Sequence, residues 1–140
     1  MNDIVDGLAP AAAYGALGFV LLLLGAGLMD LLTPGRLTQQ IWVERNRNAA
    51  VLLSSALLGV GGIVFMSIWT TYADFGKGLA STACFGLLGL VLMMLAFWAV
   101  DLLTPGRLGS ILVDPEPHPA VWVTASCNLA VAAIVAASIS

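Results

Sequence analysis

Four apolar runs of about twenty residues, the helix length that crosses a bilayer core of ~30 Å, take up most of this chain. No Asp, Glu, Lys or Arg falls between Ala11 and Met29, between Asn48 and Ala73, between Gly78 and Val100, or from Pro119 to Ser140. Of the 140 residues, 60% are hydrophobic and 9% charged, where a soluble domain carries roughly 25% charged residues. Backbone N–H and C=O groups surrounded by lipid must be satisfied within the spanning structure, and the alternating pattern of a barrel strand is absent. The pattern predicts an all-α integral membrane protein with four transmembrane helices, at about 10–32, 49–70, 79–103 and 120–139. The first run is expected to be a helix of the mature protein. The segment before it carries Asp3 and Asp6 and no Lys or Arg, whereas a cleaved signal peptide begins with a positive region.

An octapeptide occurs twice. Asp-Leu-Leu-Thr-Pro-Gly-Arg-Leu runs from Asp30 to Leu37 and again from Asp101 to Leu108. Each copy closes an apolar run. The likeness extends upstream, where Tyr14-Gly15-Ala16-Leu17-Gly18 matches Phe85-Gly86-Leu87-Leu88-Gly89, and Val20-Leu21 matches Val91-Leu92. Downstream it slips by one residue, so that Ala50-Val51 pairs with Ala120-Val121. The expected architecture is a duplicated two-helix unit in parallel repeat. The first unit covers 1–70 and the second 79–140, with a short outer-side linker at 71–78.

Two helices per unit bring both octapeptides to one side of the membrane. Arg36, Arg45, Arg47 and Arg107 fall on that side, and Lys77 on the other. The positive-inside rule makes the octapeptide side cytoplasmic and puts both termini outside. Trp42, Trp69, Tyr72, Trp98 and Trp122 lie near span ends, where an aromatic belt is expected.

Thr33-Pro34 and Thr104-Pro105 read as helix starts, because Thr caps well and Pro at the first helical position loses no hydrogen bond. A short interfacial helix is expected from Pro34 to about Glu44, with Arg36 at the headgroups. In the second copy Leu108, Ile111 and Leu112 continue for about two turns beyond Gly106 and Arg107. Asp30 and Asp101 stand at helix C-termini, where an anion opposes the macrodipole. Two explanations remain open at this point. Each aspartate caps the following turn by accepting backbone N–H bonds or pairs with Arg36 or Arg107. Alternatively, each lines a path for a cation or proton.

Asn128, at mid-depth in the fourth run, is expected to hydrogen-bond across helices. Small residues form thin faces for close packing: Gly15 with Gly18, Gly86 with Gly89, Ser55 with Gly59, Gly61-Gly62, and Ala132 with Ala136. Cys84 and Cys127 read as small buried apolar residues. His118 reads as a solvated residue of a proline-rich loop over 109–119, which is expected to be extended. There is no nucleophile–base pair, phosphate loop or metal-ligand cluster, and no basic stripe for nucleic acid. No enzymatic activity and no cofactor are expected.

The duplicated unit, with Asp-x-x-Thr-Pro-Gly after its first helix, resembles the bacterial domain-of-unknown-function family 350. Asp30, Thr33, Pro34 and Gly35 match the motif, as do Asp101, Thr104, Pro105 and Gly106, and the resemblance covers most of the chain. Asn48-Ala49-Ala50 is similar to the family's opening of the second helix. The second unit departs there, with His118-Pro119-Ala120 and no Asn, so a function of that Asn falls to the first unit alone. The resemblance implies a small multi-pass protein of the bacterial inner membrane built from two-helix units, with a link to membrane or envelope stress.

Two functions are therefore weighed. One is a non-enzymatic membrane module that forms homo-oligomers or docks with another membrane-protein subunit, its remaining partner being the bilayer. The other is a small cation or proton channel or transporter using Asp30 and Asp101.

Overall fold

The computed structural model describes residues 2–33, 35–71, 73–104, 106, 116 and 118–140. The expectations for Pro34, Tyr72, Pro105, Arg107 and Leu108, and for the loop from 109 to 115 and Pro117, lie outside these residues. Five helices are described: α1 Asn2–Leu32, α2 Leu37–Trp42, α3 Arg47–Thr71, α4 Phe75–Leu103 and α5 Pro119–Ile139. All but α2 are long and apolar enough to cross a membrane.

The ends of the helices follow local chemistry. α1 starts at Asn2 rather than at residue 10, with Asp3 in its first turn complementing the macrodipole. Its 31 residues reach about 46 Å and outrun the bilayer core. α4 starts at Phe75 rather than 79 because Asp74 caps it, accepting from Lys77 N at 3.2 Å. α5 starts where His118 Nδ1 accepts from Ala120 N at 3.0 Å, with Pro119 as its first residue. His118 is thus a helix cap and not merely a loop residue.

Contacts along the helices give their directions. Tyr14 packs on Phe75 and Gly78, Leu21 on Gly86, and Gly25 on Leu90, so α1 and α4 are parallel. Asn48 meets His118 and Ser55 meets Asn128, so α3 and α5 are parallel. Gly18 against Val64 makes α3 antiparallel to α1. Both octapeptides therefore end at one face of the bundle.

α3 is the hub. It packs on α1, α4 and α5, whereas α1 and α5 scarcely meet. Leu52, Ala56, Val60 and Ile63 of α3 are fully buried, one per helical turn. α1 buries a single narrow stripe, Tyr14, Gly18, Leu21, Gly25 and Met29. Lipid supplies little hydrophobic drive between helices, so close backbone approach has to do that work. Glycines provide it here: a Cβ at Gly86 would stand 2.6 Å from Leu21 Cδ1, and one at Gly59 would stand 3.1 Å from the Ala132 Cβ.

Trp42, Trp69, Trp98 and Trp122 are all exposed near helix ends. Cys84 is exposed and Cys127 half-buried, which corrects the expectation that both are buried. Cys84 lies on the outer side of α4, where an apolar residue is satisfied by lipid as well as by protein.

Candidate functional site

The first octapeptide forms a joint between α1 and α2. Thr33 N still donates to Met29 O at 3.0 Å, so the chain leaves the helix only after Thr33. Gly35 then takes φ +83, the left-handed region that favours glycine. A Cβ at Gly35 would also stand 2.9 Å from Gln40 Nε2, so space and backbone both require glycine here. Arg36 is extended and makes no side-chain cap. The cap comes from further back: Leu37 N donates to Asp30 Oδ1 at 2.8 Å. The carboxylate that opposes the dipole of α1 thus satisfies the first N–H of α2, where an anion is favoured.

That geometry corrects the expected helix start. α2 begins at Leu37, not at Pro34, and ends at Trp42, short of Glu44. Thr33 is not its cap; the side chain is buried, and Oγ1 has no hydrogen-bond partner among the described residues. Beyond α2, Arg45 has φ +54 and Asn46 N donates to Gln40 O at 2.8 Å. Asn46 Oδ1 then caps α3, accepting from Asn48 N at 2.9 Å and Ala49 N at 3.3 Å. Reading the sequence missed Asn46. The signal was present as a polar Asn just ahead of an apolar run.

In the second octapeptide Gly106 likewise has a positive φ, +86. A Cβ at Gly106 meets no described residue within 4 Å. Thr104 closes α4: its N–H and Oγ1–H both donate to Val100 O, at 3.0 and 2.7 Å; the helix expected to follow it lies outside the described residues. Pro105 and Arg107 lie outside the described residues. The two aspartates are not level. Where α1 meets α4, paired residues are 65 apart (86 − 21 and 90 − 25), while the octapeptide recurs after 71. Asp101 therefore stands about six residues, roughly 9 Å of helix, further along the bundle than Asp30.

Asn48 joins the two units at this end. Its Nδ2 donates to Glu116 O at 2.7 Å, and its Oδ1 accepts from His118 N at 3.3 Å. The side chain is buried, while the two bonds are partly buried and reach the exposed residues Glu116 and His118. At mid-depth Asn128 Nδ2 donates to Ser55 Oγ at 3.0 Å, and Ser55 Oγ donates to Leu52 O at 2.8 Å. Asn128 Oδ1 has no partner among the described residues. A third polar layer, Ser67 with Ser81 and Thr82, sits toward the opposite end. Ser55 and Ser67 are twelve positions apart, about 18 Å of helix, and between them the core is Val60, Ile63, Leu90 and Met93. No group of three or more His, Cys, Asp and Glu side chains is placed to hold a metal among the described residues.

The family model described as Domain of Unknown Function (DUF350) matches residues 3–139. A UPF0719 transmembrane protein of Mycolicibacterium paratuberculosis is 33% identical over 140 residues, covering 100% of this chain and 93% of that protein. UPF0719 transmembrane protein Mb2631 of Mycobacterium bovis is 30% identical, covering 100% of this chain and 92% of that protein. No solved structure matches.

Proposed function

The chain belongs to the DUF350 family and is a multi-pass membrane protein; on that premise we propose that it is a non-enzymatic module that self-associates or docks with other membrane proteins. The observation that carries this reading is a set of glycines with nothing to pack on among the described residues. Gly15 of α1 and Gly61 and Gly62 of α3 meet no atom of those residues within 4 Å of where a Cβ would stand. Glycine within a helix costs about 1 kcal/mol relative to alanine. Gly15 lines a furrow between α1 and α3 together with Phe19, Val64 and Ile68. Gly61 shares a face with Val64 and Ile68 at i, i+3 and i+7. A thin furrow of this kind suits a helix of a second subunit.

Mass measurement in native lipid nanodiscs tests the self-association. Dimers or larger species are expected, and Gly15→Leu with Gly61→Leu should reduce them. A monomer at every protein concentration overturns self-association. The competing reading, cation or proton conduction through Asp30 and Asp101, has weaker support. Asp30 spends one oxygen on Leu37 N, and the core between the polar layers is apolar. A flux from the intact protein in liposomes, abolished by Asp30→Asn with Asp101→Asn, would replace the docking reading.

The same proposal places the protein in the bacterial inner membrane, with the octapeptide end cytoplasmic and both termini outside. Arg36, Arg45 and Arg47 against Lys77 support that orientation. Cysteine labelling at Thr38 and Ser140 in intact cells tests it: Ser140→Cys should react with an impermeant reagent and Thr38→Cys should not. A role in envelope stress, which the resemblance implies, is tested by survival of a deletion strain under detergent or acid.

A further inference from the structure

Between α1 and α4 runs an apolar groove of about 790 Å³, within the ~300–1,000 Å³ range of small-molecule sites. Leu23, Leu24 and Leu31 of α1 and Leu87 and Val91 of α4 line it and are exposed, so it opens sideways toward lipid. Gly27 forms part of its lining, and a Cβ there would meet no described residue within 4 Å. One charged residue lines the groove, and it is Asp30, at the octapeptide end. Asp30 commits Oδ1 to Leu37 N, and no described residue engages Oδ2. Arg36 immediately precedes Leu37, is exposed, and makes no ion pair among the described residues. A carboxylate with one oxygen that no described residue engages thus stands at the octapeptide end of an apolar trough, and the exposed Arg36 directly precedes the residue it caps.

We infer that this groove holds one phospholipid with a primary-ammonium headgroup, its ammonium on Asp30, its phosphate on Arg36 and an acyl chain along α1 and α4. The chemistry selects this class. An ionised carboxylate accepts hydrogen bonds only, and a primary ammonium brings three donors. A quaternary ammonium brings none, and a glycerol headgroup brings no positive charge. Arg36 suits any phosphate, so it contributes retention without choosing among phospholipids. This inference is independent of self-association, since the groove lies between α1 and α4 and the glycine furrow between α1 and α3.

The test uses the full chain in mild detergent, given equimolar phosphatidylethanolamine, phosphatidylglycerol and phosphatidylcholine with identical acyl chains. Native mass spectrometry then counts the bound lipid. Phosphatidylethanolamine adducts are expected to exceed the other two about tenfold. Asp30→Asn should bring phosphatidylethanolamine down to the level of phosphatidylglycerol. Arg36→Gln should lower all three alike, and so should Gly27→Leu. Soluble phosphoethanolamine, which has the headgroup without the chains, should leave the adduct in place. Equal retention of the three lipids by the intact chain overturns the inference, as does displacement by soluble phosphoethanolamine. Should Asp30→Asn fail to fold, unchanged adducts in both Arg36→Gln and Gly27→Leu overturn it.

Discussion

The octapeptide copies share eight residues and a glycine of positive φ, Gly35 at +83 and Gly106 at +86, yet the described residues around the two glycines differ. The first copy is braced. Asp30 caps α2, Gln40 presses on Gly35, and Asn46 caps α3. At the second copy a Cβ on Gly106 would meet no described residue within 4 Å, and α5 is capped by His118. The start of α5 is also held by Asn48 of α3, on Glu116 O and His118 N. Identical local sequence gives both glycines a positive φ; which described residues stand around each depends on the rest of the chain.

Five substitutions probe this difference, in order of expected effect on unfolding in mixed detergent. Asn48→Ala removes both bonds from α3 to Glu116 and His118, each worth about 1 kcal/mol, so a loss of about 2–3 kcal/mol is expected. A loss below that of an ordinary surface change would mean that the start of α5 does not lean on α3. Gly35→Ala comes next, at about 2 kcal/mol, because left-handed backbone and contact with Gln40 add. Gly106→Ala should cost about 1 kcal/mol, from backbone alone. Equal losses at the two glycines would show that the braces count for nothing. Asp30→Ala should cost about 1 kcal/mol through loss of the cap on α2. Hydrogen exchange faster at Leu37 and little changed in α4 is the accompanying sign. The smallest effect is expected at mid-depth, where Ser55→Ala should cost about 0.6 kcal/mol, the average for a hydrogen bond between membrane helices.

The two units are not arranged by a two-fold axis. Such an axis would make the α1–α5 contact match the α3–α4 contact, yet α1 and α5 scarcely meet while α3 and α4 pack along their length. The roughly six-residue stagger of α1 against α4 points the same way. The stagger separates Asp30 from Asp101 along the bundle axis, and this places Asp30 alone on the α1/α4 groove.

Much of the fold was readable in the chain by itself. Four charge-free runs of spanning length specify four helices, because lipid leaves a backbone no other way to satisfy its polar groups. The recurrence of Asp30–Leu37 at Asp101–Leu108 specifies that both joints lie at one face. Asn128 was recognisable as a polar group needing a partner. Which partner it takes, Ser55, was decided only by the packing of α3 on α5. The same holds for α2 starting at Leu37 under a cap seven residues back, for the reach of Asn48 to another unit, and for the stagger of α1 on α4. The physical reason is the solvent. In water an apolar stripe announces which face of a helix is buried, but in lipid every face is apolar and the stripe is silent. Inter-helix order then rests on where glycines let backbones close and where a few polar groups meet, and both are properties of surfaces brought together by the tertiary fold.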